Sequence, residues 1–191
     1  MTLTADQLEQ EGQALRRWRE AFAALGHDGD RAAALVLDGV DLLESPVLNL
    51  GSGMSAIARE LTLRGLVVES HAAQAEDPKV AALPFPDGAF ASAVSFNVLH
   101  HVGNGASVLC EIVRVVRPGG LLLLVDFSRE GFDIAARVLS AEGGVHPEGP
   151  VTLDWARGFL AGSGLAETRM GEVHHERFAT FRKPGSPPKD A

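Results

Sequence analysis

The apolar run Val47-Leu48-Asn49-Leu50 breaks at Gly51 and Gly53, and the apolar period then changes. Ile57, Ala58 and Leu61 fall on one face of a helix that ends near Gly65. A buried strand, a tight glycine turn and a helix, in that order, limit the fold more than any other stretch of the chain. They are the parts of a nucleotide-type binding site at the carboxyl end of a parallel sheet. Glycine suits such a turn because it permits backbone angles and close ligand approach that a Cβ would block.

From Pro46 onward the alternation continues. Strands are expected at Val47–Leu50, Leu66–Glu69, Ser92–Phe96 and Leu121–Phe127, and helices at Ser55–Leu63, Ala106–Val116, Phe132–Ala141 and Leu153–Ala161. Ser128 and Thr152 are expected N-caps of the last two. Short apolar strands alternating with helices predict a parallel α/β sheet. The end differs, since Ala166–Met170 and Arg177–Arg182 read as a closing antiparallel pair. Before the glycine turn, Leu8, Leu15, Trp18, Phe22 and Leu25 recur at helical spacing up to Gly26, and Ala32–Leu43 is a second helical segment. The expected organisation is one domain over 1–191: a helical cap over 1–44, an α/β core over 45–183 and a disordered tail from 184. Packing against the sheet is the plainer expectation for the cap, and covering a substrate pocket the more consequential one.

Composition narrows the function. The formal net charge is −8, with 17 basic and 25 acidic residues, which disfavours nucleic acid and offers no polybasic membrane patch. The start is amphipathic and acidic rather than leader-like, and no apolar run reaches membrane-spanning length, so the chain is expected in the cytoplasm. Cys110 is the single cysteine and reads as a buried small hydrophobe on a packed helix. It excludes an intrachain disulfide and a thiolate cage, and no metal is expected among the seven histidines.

Glu69 lies 18 residues after Gly51, at the end of the next expected strand. In adenosine-binding sheets a carboxylate there accepts hydrogen bonds from the ribose hydroxyls; otherwise it is a solvated charge. Gly51-Ser52-Gly53-Met54-Ser55-Ala56 also satisfies the G-x-G-x-x-A form of a dinucleotide fingerprint, which keeps an NAD(P)-binding oxidoreductase among the alternatives. Three later segments point elsewhere: Leu83-Pro84-Phe85-Pro86-Asp87-Gly88-Ala89-Phe90, Val94-Ser95-Phe96-Asn97-Val98-Leu99-His100-His101-Val102, and Arg117-Pro118-Gly119-Gly120 before Leu121–Ser128.

Together with the glycine turn, these resemble the class I S-adenosylmethionine-dependent methyltransferases, and best the small-molecule branch that includes quinone-biosynthesis methyltransferases (methyltransferase type 11). The resemblance covers roughly residues 46–128. It implies a three-layer, Rossmann-like α/β fold with an antiparallel C-terminal strand. It also implies S-adenosylmethionine as cofactor, leaving as S-adenosylhomocysteine, and a small-molecule acceptor. In that frame Asn49 and the turn Gly51, Ser52, Gly53 and Ser55 lie against the methionine part. Glu69 holds the ribose, Ala82 and Leu83 border the adenine, and Phe96 and Asn97 face the methionine end and the acceptor. Arg117–Gly120 is structural.

Because the sulfonium is an activated donor, alignment and exclusion of water are most of what the reaction asks. A base is needed only for a protonated acceptor, and His100 and His101 stand where one would reach. The alternative is that one packs while the other is exposed. His146 lies in a glycine-rich loop that either covers the pocket or is ordinary surface. His174 and His175, if extended, point to opposite faces.

Four features depart from the family pattern. Asn49 stands where Asp is usual, Ser55 where a third glycine is usual, and Ala91 where Asp is common. Only 13 residues, Ser70–Ala82, separate Glu69 from Leu83, too few for a comfortable crossover helix and third strand. That strand or its helix is therefore expected to be reduced, leaving an open sheet edge that a homodimer would cover. These departures keep a non-catalytic methyltransferase-like binding protein as the first alternative and the oxidoreductase as the last.

Overall fold

The computed structural model describes residues 5–41, 43–51, 55–71, 82–141, 143–144 and 149–185. Two helices, α1 (Ala5–Ala24) and α2 (Gly29–Asp38), precede the sheet. The order is then β1 (Val47–Leu50), α3 (Ala56–Leu63), β2 (Val68–His71), β3 (Phe90–Phe96), a 3₁₀ turn at Leu99–His101, α4 (Gly105–Val115), β4 (Val116–Phe127), α5 (Arg129–Ala141), α6 (Leu153–Gly162), β5 (Ala166–Val173) and β6 (Glu176–Arg182). The strands form one sheet in the order β2-β1-β3-β4-β6-β5. β2, β1, β3 and β4 run parallel, while β6 is antiparallel to β4 and β5. This is the expected three-layer α/β fold.

The central strands are buried on both faces, which explains the continuous apolar run in β4. Leu121, Leu123 and Val125 pack with α2, α3 and Phe178, whereas Leu122 and Leu124 pack with α4, α6 and Phe181. Alternate side chains of one strand thus supply two cores. The helix boundaries follow local chemistry. Asp28, Ser55, Asn104 and Thr152 each accept a backbone N–H of the first turn of α2, α3, α4 and α6, and Ser128 accepts from Gly131 at the start of α5. Ser55 therefore serves as a cap, a role that a glycine in its place would not fill.

Several expectations are corrected. The second helix ends at Asp38 rather than reaching Leu43, stopped by Gly39 as its C-cap. β2 is shifted two residues along, so it ends at His71 and Glu69 lies inside it, exposed and paired in register with Leu48. Cys110 is exposed, because the buried stripe of α4 is Gly105, Val108, Leu109, Ile112 and Val115 and position 110 falls outside it. His174 and His175 are not extended; both have left-handed backbone, φ 45° and 68°, in the tight turn between β5 and β6. Lys183, at the end of the expected core, is engaged: its Nζ donates to the carbonyls of Val113 and Val116 at 2.7 Å. Among the described residues β2 is the sheet edge. The segment 72–81, where a reduced third strand was expected, and residues 186–191 of the expected tail lie outside the described residues, as does His146.

Candidate active site

The chain leaves β1 to one side for β2 and returns to the other side for β3, so the sheet order reverses at β1. In an open α/β sheet such a reversal opens a crevice beyond the carboxyl ends of the two strands, the preferred place for a ligand. Here those ends are Leu50–Gly51 and Phe96–Asn97, brought level by the pairing of Leu50 with Ser95. Gly51 takes φ 145°, and a Cβ there would meet Val98 at 3.4 Å. Asn97 takes φ 54°, which turns the chain off the sheet into the 3₁₀ turn.

Over this end lies a cavity of about 740 Å³. Its apolar wall is Trp18, Phe22 and Ala23 of α1, with Phe96, Phe127 and Leu139. Asn97, His27, the start of α2 (Asp28–Asp30) and His101 complete it. Gly29 stands beside Ala56 of α3, its would-be Cβ 3.9 Å away, so the cavity wall at the start of α2 abuts α3. α1 therefore covers a pocket as well as packing. Asp30 anchors it by pairing with both Arg19 of α1 and Arg59 of α3.

Beneath the cavity is a buried polar cluster. Glu176 is fully buried, and its Oε1 accepts from Asn97 Nδ2 at 2.8 Å. His27 Nε2 lies 3.5 Å from the same oxygen. Burial pushes the Glu176 carboxyl well above the usual carboxylate range, and the nearby Asp126 adds to this. Burial, then the neighbouring His174 and His175, lowers the His27 pKa to about 4. His27 is thus neutral at pH 7, and its contact with Glu176 is not an ion pair despite its geometry. On the other face of the sheet, His100 Nδ1 lies 2.5 Å from Asp126 Oδ1, with both residues buried.

The expected site residues fall into three groups. Gly51, Phe96 and Asn97 meet at the crevice, and His101 lines the cavity. Asn49 is buried beneath, its Nδ2 donating to Ser70 Oγ at 3.1 Å. Glu69 and exposed Ala82 stand apart toward the β2 side, while the Leu83 backbone is engaged: its N–H donates to Glu111 and its carbonyl accepts from Arg114. Ser52 and Gly53 lie outside the described residues. His100 is turned into its pair with Asp126, so one histidine packs and the other is exposed. His27, Asp126 and Glu176 carried no local signal as site residues. Glu176 meets Asn97 across 79 positions of sequence, and only the sheet brings them together.

Comparison with known proteins agrees with this geometry. Residues 37–124 match the family model described as a methyltransferase domain. Over 128 residues the chain is 28% identical to the ubiquinone/menaquinone biosynthesis C-methyltransferase UbiE of Erwinia tasmaniensis, covering 66% of this chain and 50% of that protein. The chain thus spans about half the length of this curated relative. Among solved structures it is similar in fold to a chain from the Haloferax volcanii complex of the Trm112 methyltransferase activator with a methyltransferase: TM-score 0.60, 13% identity, 94% of this chain and 96% of that one. A SAM-dependent methyltransferase from Aquifex aeolicus matches with TM-score 0.51 and 19% identity, over 78% of this chain and 88% of that one. No helix among the described residues is long and apolar enough to cross a membrane. The match over residues 37–124 and the shared fold make the chain similar to S-adenosylmethionine-dependent methyltransferases.

Proposed function

We propose that the chain transfers the methyl group of S-adenosylmethionine to a small apolar acceptor held beneath α1. The observation that carries this is one cavity that runs from the end of β3, at Phe96 and Asn97, to an aromatic wall on α1. The residues present fit the cofactor at one telling point. Asn97 Oδ1 is buried at the crevice without a hydrogen-bond partner among the described residues, an acceptor suited to the ammonium of the methionine part. The cofactor supplies a methyl group on a sulfonium, already activated toward a nucleophile.

The protein's part is alignment and dryness. Gly51 and Ser55, with buried Asn49 below, bound the methionine end, a role the sequence also expects of Ser52 and Gly53, which lie outside the described residues. Phe96 and Asn97 stand between that end and the acceptor. Trp18, Phe22, Phe127 and Leu139 exclude water from the acceptor's surroundings. In this reading Glu69 holds the ribose and Ala82 and Leu83 border the adenine, Leu83 by its side chain because its backbone is engaged. His101, not His100, is the histidine placed to reach an acceptor. The name of the Erwinia relative supports a flat ring methylated on carbon.

Turnover tests the proposal. Incubation with S-adenosylmethionine and a panel of flat aromatic acceptors should release S-adenosylhomocysteine only when an acceptor is present. Binding of the nucleoside with no release across the panel would favour a non-catalytic binding protein. Glu69→Ala should weaken S-adenosylhomocysteine binding about tenfold, or about 1.4 kcal/mol. His71→Ala, which alters the next residue along the same face of β2, provides the comparison. A larger loss at His71 would move the ribose site to the strand end.

A further inference from the structure

Besides the charged Arg19, Glu20, Asp28 and Asp30, the polar side chains His27, Asn97 and His101 enter an otherwise largely apolar cavity, and of these His27 and Asn97 hold a buried polar atom with no partner among the described residues. His27 is 5% exposed, and its Nδ1 has no hydrogen-bond partner among the described residues. Glu176 explains why. Its Oε1 holds Asn97 Nδ2 and stands beside His27 Nε2, which leaves Asn97 Oδ1 and His27 Nδ1 over. Glu176 Oε1, an acceptor, stands on the Nε2 side of the ring, so Nε2 is the nitrogen assigned the ring proton. Nδ1 is then a bare acceptor, neutral at pH 7, that accepts a hydrogen bond without taking the proton. The ring packs against the stacked pair Phe22 and Phe127, with centroids 5.4 and 5.7 Å away and steeply inclined planes.

We propose that His27 fixes the methyl acceptor through Nδ1, accepting a hydrogen bond from a hydroxyl or N–H on an otherwise apolar, flat molecule, with Glu176 as the positioning residue that orients the imidazole. This rests on the methyltransferase reading for its assignment of Asn97 to the cofactor and His27 to the acceptor. An acceptor lacking such a donor leaves Nδ1 buried and unsatisfied, so selectivity comes from the unmade bond more than from the made one.

The test is titration calorimetry with 2-naphthol and 2-methoxynaphthalene, which differ in the donor, each with and without S-adenosylhomocysteine. The wild-type protein should bind 2-naphthol at least about tenfold more tightly than its methyl ether. His27→Phe, which keeps an aromatic ring against Phe22 and Phe127, should abolish that preference while the ether and S-adenosylhomocysteine bind within about twofold of wild type. His27→Asn, which restores an acceptor near Nδ1, should recover part of it. Glu176→Gln should retain the preference and Glu176→Leu should lose it. A preference unchanged in His27→Phe, or absence of 2-naphthol binding to the wild type, overturns the proposal. If His27→Phe does not fold, His27→Leu is read in the same way. Missing heat with S-adenosylhomocysteine alone counts against the methyltransferase reading, and the naphthol pair is scored separately without it.

Discussion

Two histidine–carboxylate pairs stand near the carboxyl end of the sheet, on opposite faces, and they differ in almost every respect. His100 and Asp126 are 2.5 Å apart, and the Phe127 N–H donates to the same carboxylate oxygen at 3.0 Å. Their side of the sheet opens on a groove of about 430 Å³ whose charged lining includes Arg129, Asp133, Asp154 and Arg177, with Arg177 held by Asp154. His27 and Glu176 are 3.5 Å apart beneath an aromatic cavity, with His27 neutral at pH 7 and the Glu176 carboxyl pushed well above its usual range by burial. The lesson is that a tight pair fastens a strand end to the turn beyond β3. A loose pair leaves ring and amide atoms for a ligand.

Separating the two pairs by mutation should give the largest effect. Asp126→Ala removes the partner of a buried histidine and should cost about 3–5 kcal/mol of stability, read as a lower urea midpoint. His27→Phe keeps the ring packing and should cost well under half of that. Equal losses would erase the distinction between a fastening and a binding pair.

The pH dependence sharpens the same contrast. The folded-state pKa of His27, about 4, lies below its unfolded value of 6.5. The unfolded chain therefore binds this proton first as pH falls. The stability His27 contributes is complete above pH 6.5 and is lost as pH falls toward 4, about 3 kcal/mol in all. Urea midpoints at pH 7 and 4.5 should diverge more for wild type than for His27→Phe. Similar shifts would mean that His27 is not held neutral.

Glu176 runs in the opposite sense and should show the smallest change. Its folded-state pKa is raised, so its contribution is complete below the unfolded carboxylate pKa and is lost as pH rises. Glu176→Gln keeps an oxygen for Asn97 and should raise the urea midpoint at pH 8 by an amount equivalent to about 1 kcal/mol. A destabilised variant would indicate that the carboxyl is ionised in the folded protein.

What could be read from the chain alone follows from the range of each interaction. Val47–Leu50 and the leucine run of β4 are local patterns, and they placed two parallel strands and the alternating layers correctly. Short-range periodicity misjudged Cys110 because a few residues of apolar flank do not reveal which face of α4 is turned inward. Glu69 seemed to end its strand because β2 is too short and polar for its register to be read without β1 beside it. The cluster of His27, Asn97 and Glu176 lay beyond sequence reasoning altogether. Its members come from the α1–α2 junction, the end of β3 and the start of β6, and Asp28 N–H meets His174 Nε2 across 146 positions. Adjacent His174 and His175 were visible, but the left-handed turn that aims both at His27 was not.

The central claim is that the β1/β3 crevice holds the sulfur nucleoside of a methyltransferase. Titration calorimetry of the wild-type chain with S-adenosylmethionine, S-adenosylhomocysteine and NAD tests it most directly. One site should release or absorb heat with both sulfur nucleosides, and NAD should give none. Heat with NAD alone, or with none of the three, would contradict the account.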